Sequence, residues 1–516
     1  MNIKEAKEEI IHTVQAYMAK DEEGNYRIPP RRQRPLLLIG PPGIGKTAVM
    51  EQAAAQCQVG LVAYTITHHT RQSAVGLPLV EKKQYAGQEY TVTEYTMSEI
   101  VASIYEQMEL TGKKEGILFI DEINCVSETL APTMLQFLQC KTFGNHRIPQ
   151  GWVIAAAGNP EEYNKSAREL DMATLDRVRR ISVEADVSVW REYAQQTGIH
   201  GAVLSYLELR PQNFYSVEGE GSERKFVTAR GWEDLSELLR EYERQSIPVS
   251  EMVVGEYLQD PSISEDFYSY YCLYQSYRQR YPVKKILDGV FCGEEREFMR
   301  ERLQKAPVDE RLSAVQMFLS GIHGLIRSYE KDREVTEFLR QKITVLEGWG
   351  KQKNSEAAEE SLAEFLRNQE HALHVRSQAG VLSEEGERRE EQGLRILRKM
   401  GYLTKEHSCR NWEEIYQVFQ KALQERVRKI QAQEKIINES LGRALVFLEE
   451  CFGEGQELVV FLADLSRSPD TEQYLKNHPC PRFDGHRDLM MVEEQEERLR
   501  RQLERISFSD SIGSRV

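Results

Sequence analysis

One short segment constrains this chain more than any other. It reads Gly40-Pro41-Pro42-Gly43-Ile44-Gly45-Lys46-Thr47 and stands between an apolar run, 36–39, and a helical pattern, 48–56. In that setting glycines let backbone N–H groups converge on one point, and the following helix adds the positive end of its dipole. We expect Lys46 to reach the β- and γ-phosphates of a nucleotide and the Thr47 hydroxyl to bind Mg²⁺. The segment predicts a phosphate-binding loop.

Apolar runs alternate with helical stretches through the first third of the chain. Five of them have the length and composition of buried parallel strands, at 36–39, 61–66, 117–120, 153–157 and 178–183. This alternation predicts an α/β fold with a parallel sheet. Beyond about Asp186 we expect strands to stop and helices to continue, with one long amphipathic stretch or two joined ones over 415–448.

Two adjacent carboxylates, Asp121 and Glu122, follow the third apolar run directly. Open α/β sheets bind their ligands at the carboxyl ends of the strands, where this pair is expected to lie. Asp121 fits a role at Mg²⁺, directly or through water, and Glu122 fits the base that orients and polarises an attacking water.

Asn159 follows the fourth apolar run, within the stretch 152–160. Its amide could hold the same water or the γ-phosphate. Asn before Pro160 is also a frequent turn-former, which is the alternative interpretation.

The order of these three motifs resembles Walker A, Walker B and sensor 1 of AAA+ ATPases. Finer details resemble the MoxR-like group: FIDEIN at 119–124, a hairpin-like segment at 141–150, GWVIAAAGNP at 151–160 and LDR at 175–177. The resemblance covers a little over half of the chain. It implies ATP and Mg²⁺ as ligands, an AAA+ core over 1–186, a helical lid over 187–284, and a helical C-terminal domain over 285–516 that docks partners.

The resemblance also implies residues that complete catalysis. A trans-acting arginine finger would be one of Arg177, Arg179 and Arg180, with Arg177 nominated first, and Arg230 would be sensor 2. A solvated basic strand edge is the alternative for each of the three arginines. Such a finger requires a ring, expected to be a hexamer. MoxR-like proteins are associated with von Willebrand factor A domain proteins and act like chaperones on complexes, and we expect a similar partner.

Several stretches have less specific interpretations. The segments 70–96 and 141–150 either face the pore of the ring or form ordinary surface loops. His68-His69 is expected to be a polar loop, because the sequence offers no third metal ligand. The charge-dense stretch 384–391 predicts a turn or linker. A terminal helix is expected around 492–506, followed by a loose tail over 507–516.

Composition excludes some classes of function. The net charge of -15 argues against a general nucleic-acid binder. Short apolar runs and a polar start predict no membrane segment, and eight scattered cysteines predict a reduced, cytoplasmic protein. Two alternatives to an ATP-driven remodeller stay open: a GTP-using motor subunit of a restriction-type system, and a nucleotide-gated scaffold with negligible turnover.

Overall fold

The computed structural model describes residues 1–486 except 69–73, 75, 144–145, 164–166, 169, 171, 220–223, 292, 353–357, 379–381, 383, 408 and 410. The predicted terminal helix and tail, and His69, lie outside the described residues. The chain forms two compact units. The first comprises Met1–Val189, Thr228–Arg230 and Ala363–Leu394, and the second comprises Trp190–Val227, Gly231–Leu362 and the chain from Arg395 onward. The division into three domains at 186 and 284 stays a prediction.

A five-stranded parallel sheet forms the centre of the first unit, in the order β2-β5-β8-β1-β9. The strands described in the chain are β1 Leu36–Ile39, β2 Gly60–Thr65, β3 Pro78–Tyr85, β4 Gln88–Tyr95, β5 Gly116–Asp121, β6 Thr142–Phe143, β7 His146–Arg147, β8 Trp152–Gly158, β9 Arg179–Ser182, β10 Ser216–Glu218 and β11 Lys225–Val227. All five strands predicted for the sheet are confirmed, because continuous apolar runs suit strands covered on both faces.

Helices flank this sheet and build most of the remaining chain. They are α1 Ile3–Met18, α2 Lys46–Gln56, α3 Glu99–Thr111, α4 Ala131–Cys140, α5 Met172–Leu175, α6 Val187–Thr197, α7 Gly201–Leu209, α8 Ala229–Gln245, α9 Glu251–Tyr257, α10 Pro261–Arg280, α11 Val283–Leu287, α12 Gly293–Lys305, α13 Val308–Gln352, α14 Ala358–Gln378, α15 Glu384–Glu406, α16 Trp412–Phe452, α17 Gln456–Arg467, α18 Pro469–Asn477 and α19 Pro481–Asp484. The α/β core followed by a largely helical remainder confirms the predicted fold class.

The core of the first unit lies on the sheet and is completed by helices α3 and α4. β8 is buried along its whole length, and its run of small alanines lets neighbouring strands and helices approach closely. Gly116 on β5 is required for space, because a Cβ there would lie 2.6 Å from the Trp152 ring. This packing fixes the register of β5 against β8, and therefore where each strand ends.

Two expectations about the later chain are wrong in detail. Strands do not stop at Asp186, because β10 and β11 pair as a short antiparallel hairpin. The stretch 384–391 is not a turn or linker but the start of helix α15. In that helix Glu390 accepts two hydrogen bonds from Arg376 of α14, at 2.9 and 2.5 Å. A run of Glu and Arg is compatible with helix because both residue types have high helix propensity.

In the second unit, α13 and α16 are long helices that pack against each other. The amphipathic stretch over 415–448 proves to be one continuous helix, α16, and its Phe447 ring lies 5.6 Å from that of Phe318 on α13. Arg426 of α16 also pairs with Asp332 of α13 at 3.4 Å. Among the described residues no helix is long and apolar enough to cross a membrane.

Candidate active site

The predicted site residues meet where neighbouring strands of the sheet end. β1 runs into the phosphate-binding loop, β5 ends at Asp121, and β8 ends beside Asn159. Because β1 and β5 are both paired with β8 and all three are parallel, their carboxyl ends lie at one edge. This is the edge at which open α/β sheets bind ligands.

Lys46 is the first residue of α2 and is only 8% exposed. Its Nζ donates three hydrogen bonds, to Gly40 O at 2.9 Å, Pro41 O at 2.8 Å and Asn159 Oδ1 at 2.8 Å. Burial lowers the pKa of Lys46 to about 8, which Arg230 reinforces and the charges of Asp121 and Glu122 oppose. Within the described part of the chain, the ammonium thus has polar partners but no carboxylate in direct contact.

The phosphate-binding loop depends on glycine at specific positions. Gly43 and Gly45 have φ angles of 75° and 89°, which only glycine adopts without strain. At Gly40 the constraint is space, since a Cβ would lie 2.6 Å from the Val183 carbonyl oxygen. The loop is therefore shaped by backbone conformation and by contact with the chain that follows β9.

Thr47 and Asp121 form the candidate Mg²⁺ site. The Thr47 hydroxyl donates to Asp121 Oδ2 at 2.9 Å, so the two groups predicted to hold the ion lie side by side. Hydroxyl and carboxylate oxygens are the ligands that Mg²⁺ prefers, and such sites use few protein ligands together with phosphates. The residues present fit the ion. Among the described residues no cluster of three or more His, Cys, Asp and Glu side chains could hold another metal.

Glu122 has an unusual backbone conformation. Its φ of 57° and ψ of 34° place a non-glycine residue in the left-handed region, which costs free energy of about 1 kcal/mol or more. The Glu122 N–H donates to Asp121 Oδ1 at 2.9 Å, which helps to hold this conformation. The turn directs the two consecutive carboxylates of Asp121 and Glu122 to different partners.

Glu122 has a partner, Thr67, that the sequence did not reveal. Thr67 lies in the short turn after β2, and its hydroxyl donates to Glu122 Oε2 at 3.0 Å. The signal that could have found it is the strand order, since β2 pairs with β5 and their ends must lie together. A polar residue just past β2 is then a natural neighbour of the residue just past β5.

Arg230 is the second residue of α8 and is exposed. It belongs to the same compact unit as the sheet. A Cβ built on Gly43 would lie 3.5 Å from Arg230 Cβ, and the Arg230 charge helps to lower the pKa of Lys46. The residue predicted as sensor 2 is therefore placed beside the phosphate-binding loop.

The three arginines nominated for the finger differ in their surroundings. Arg179 donates to Thr13 Oγ1 at 2.7 Å and also pairs with Glu9, both on α1 of the same chain. Arg177 follows the short helix α5 and is exposed, as is Arg180 on β9. Arg179 thus has partners on α1 of its own chain, and Arg177 stays the first nominee for the finger among the three arginines.

Two antiparallel hairpins leave the core between the motifs. β3 and β4 pair over their full length and expose apolar side chains, including Val80, which is 67% exposed, and Tyr85, which is 53% exposed. β6 and β7 form the shorter hairpin, which confirms the hairpin-like interpretation of 141–150. Part of the 70–96 segment, including Arg71, lies outside the described residues.

A family model matches the part of the chain that carries most of these residues, and two solved structures align with the chain at low similarity. Residues 35–178 match the family model of the AAA domain, dynein-related subfamily. Among solved structures, the chain aligns with the FIGL-1 AAA domain in complex with ADP at 19% identity and a TM-score of 0.23, covering 38% of this chain and 58% of that one. It aligns with C. elegans PCH-2 at 16% identity and a TM-score of 0.23, covering 43% and 51%. The chain therefore spans little more than half of either structure. No curated protein matches the chain.

The fold and the matched segment define an AAA+ P-loop core, with the phosphate-binding loop, the Asp-Glu pair and the Asn-ended strand at one edge of a parallel sheet. Within that class, residues 35–178 are similar to the dynein-related subfamily.

Proposed function

We propose that this protein is a MoxR-like, ring-forming AAA+ ATPase that remodels or activates a partner protein. The observation that carries the proposal is the meeting of Lys46, Thr47, Asp121, Glu122 and Asn159 within one hydrogen-bonded site. A protein that only bound nucleotide would need no base, whereas Glu122 stands beside the candidate Mg²⁺ ligands.

Each residue has a role in hydrolysis. Lys46 would give up one of its present hydrogen-bond acceptors and donate to β- and γ-phosphate oxygens instead. Thr47 and Asp121 would hold Mg²⁺, whose charge offsets that of the phosphates when the ion is bound. Glu122 would orient the attacking water and accept its proton. Asn159 and Arg230 would contact the γ-phosphate. Preorganised donors of this kind stabilise charge that develops in the transition state.

Arg177 would complete the site of a neighbouring subunit. An arginine that reaches the γ-phosphate only across an interface makes hydrolysis depend on assembly, and we propose a hexameric ring on that basis. A group of this kind contributes about 10³-fold or more to the rate.

The exposed hairpin β3–β4 is a candidate for gripping the client protein. Its apolar side chains combine with charged neighbours such as Lys82 and Glu89, which pair at 2.7 Å. Large exposed apolar side chains that gather on one element favour a contact surface. We propose a von Willebrand factor A domain protein as partner, with docking through the helical chain after 285. Co-purification in a nucleotide-locked state tests the partner, and its absence there would count against this part.

The decisive test is steady-state ATPase activity against protein concentration for wild type, Glu122→Gln, Arg177→Ala and a mixture of the two variants. Specific activity should rise with concentration, each variant should lose about 100-fold or more, and the mixture should recover activity. Recovery is expected because each variant supplies what the other lacks. Glu51→Gln, an exposed carboxylate on α2, is the matched control and should behave like wild type.

Other outcomes would favour the alternatives. Activity that is absent while nucleotide still binds would support a nucleotide-gated scaffold. Faster turnover of GTP than of ATP would support a restriction-type motor subunit. Retention of activity in Arg177→Ala together with loss in Arg180→Ala would move the finger to Arg180.

A further inference from the structure

Asn124 has contacts that the proposed catalytic roles do not use. It lies in the short turn Ile123–Cys125, two residues beyond Glu122, and is only 6% exposed. A buried primary amide must find hydrogen-bond partners or it costs free energy of folding. The location of its partners therefore indicates what this side chain does.

Two partners of Asn124 lie on the chain from Asn159 onward, and a third is its neighbour Cys125, whose Sγ–H donates to Asn124 Oδ1 at 3.9 Å. Its Nδ2 donates to the backbone oxygen of Asn159 at 2.7 Å, and its own backbone oxygen accepts from the Arg168 N–H at 2.9 Å. The Asn159 side chain in turn accepts from Lys46. A continuous series of hydrogen bonds thus joins the turn after Glu122 to the phosphate-binding lysine.

Gly158 makes this placement specific. A Cβ at Gly158 would lie 2.4 Å from Asn124 Oδ1 and 2.9 Å from its Cγ. The Asn124 amide therefore lies close against the glycine that precedes Asn159. The missing Cβ at Gly158 leaves room for the amide, and the hydrogen bond ties the amide to the end of β8.

We propose that Asn124 is a positioning residue that aims the Asn159 amide at the site of the terminal phosphate. This inference rests on the proposed role of Asn159. Because the γ-phosphate distinguishes a triphosphate from a diphosphate, Asn124 determines how strongly the protein prefers the triphosphate. Its effect on the binding of the adenosine and of the α- and β-phosphates should be small, because the phosphate-binding loop and α2 would hold those groups.

The test compares affinities for ADP and for a non-hydrolysable ATP analogue in wild type, Asn124→Ala and Asn124→Asp. The Asp variant keeps the shape but replaces the donor with an oxygen that repels the Asn159 carbonyl. In both variants the preference for the analogue over ADP should fall about tenfold, the worth of one buried hydrogen bond. ADP affinity should stay within about twofold, and kcat should fall with the preference.

A double-mutant cycle separates positioning from general structural support. On an Asn159→Ala background, Asn124→Ala should cause no further loss of the triphosphate preference, because the amide it aims is gone. Gly158→Ala should reproduce the Asn124 phenotype by pressing on the amide from the other side. Asn213→Ala is the matched control. This residue donates its Nδ2 to Tyr206 Oη at 2.7 Å in the second unit, and its loss should not change the preference.

Two results would overturn the inference. One is an equal loss of ADP and analogue affinity in the Asn124 variants, which would mean that Asn124 supports the fold and nothing more. The other is a full additional loss on the Asn159→Ala background. If wild type hydrolyses no nucleotide, the proposed function fails, but the affinity ratio of ADP to analogue still decides the role of Asn124.

Discussion

Lys46 in the first unit is a buried charged side chain, and Glu243 in the second is a partly buried one. The two differ in whether the groups around them favour or disfavour the charge. Lys46 is held by two backbone carbonyls and one amide oxygen, and burial lowers its pKa to about 8. The folded chain thus disfavours its charged form. The N–H groups of the ammonium donate to neutral oxygens, and no anion from the residues that the structure describes contacts it.

Glu243 on α8 has the reverse situation. Burial alone would raise its pKa, but the hydrogen bond from His200 and the charge of Arg278 outweigh burial and lower the pKa to about 2. His200 Nε2 lies 3.0 Å from the carboxylate, Tyr271 Oη lies 3.3 Å away, and Gln275 and Arg278 also donate to it. Its hydrogen-bond partners and the charge of Arg278 together favour the charged form.

This difference is the one expected between a charge that awaits an anionic ligand and a charge that is paired within the fold. A buried charge that is fully paired stabilises the fold as it stands, whereas a buried charge with neutral partners is stabilised further only when an anion arrives. This distinction predicts opposite effects of neutralising the two residues.

The largest expected effect is on stability. Glu243→Gln should lower the free energy of unfolding by about 3 kcal/mol, because it leaves the donors of His200 and Arg278 facing a neutral amide. Chemical denaturation at pH 7 measures it. Glu241→Gln on the same helix, an exposed residue that pairs with Arg244 at 3.4 Å, should change stability by less than about 0.5 kcal/mol. An equal loss of stability in Glu243→Gln and Glu241→Gln would contradict the contrast between Glu243 and Lys46.

Next comes Lys46→Met. This substitution should weaken nucleotide binding about 100-fold, because a charged hydrogen bond to phosphate is lost. Without nucleotide it should raise the free energy of unfolding by about 1 kcal/mol, because a buried charge is removed. Titration calorimetry measures the nucleotide affinity, and chemical denaturation measures the free energy of unfolding. Lys141 is the matched control, because burial also lowers its pKa to about 8. Lys141→Met should stabilise the chain in the same way and leave nucleotide affinity unchanged.

A smaller effect concerns pH. Phosphates favour the charged form of Lys46, so nucleotide binding raises a pKa that is about 8 in the free protein. Above that pH binding must take up a proton, and affinity should fall by up to about tenfold per pH unit. Stability without nucleotide should rise over the same range, since the unfolded chain binds the proton more tightly than the folded one. Affinity that is flat from pH 7 to about 10 would show that Lys46 stays charged throughout.

The smallest expected effect is at Thr67. Thr67→Val removes the hydroxyl that donates to Glu122, so the carboxylate is more available to water. Basal ATP turnover should rise about threefold, in line with the loss of one exposed hydrogen bond. Thr65→Val, at the end of β2, serves as the control. A fall in turnover would instead mean that Thr67 holds Glu122 in its working orientation.

The sequence located the residues of the candidate site because they follow strands directly. Asp121 and Asn159 are located by the apolar runs before them, and parallel strands must end at a common edge. Thr67 and Asn124 were not found as partners, because their roles depend on strand order and on the left-handed turn at Glu122. Neither the pairing of β2 with β5 nor that turn is encoded in hydrophobic periodicity.

The errors have local physical causes. The stretch 384–391 is rich in charge, which is typical of linkers. In the structure it is the start of α15, and the bidentate contact of Glu390 with Arg376 holds it against α14. The hairpin β10–β11 has strands of three residues each, too short for alternation to reveal. In both cases tertiary pairing outweighed the local pattern.

The absence of a side chain at Gly40 also has a consequence for how a displacement would pass through the first unit. The loop has no slack against the carbonyl of Val183, which follows β9 directly, and close-packed groups transmit displacement instead of absorbing it. A displacement of Gly40 would therefore pass to the carboxyl end of β9, next to Val183. Arg179 and Arg180 begin that strand at the opposite edge of the sheet, so the contact couples the loop to β9 as a whole and does not touch the candidate finger directly.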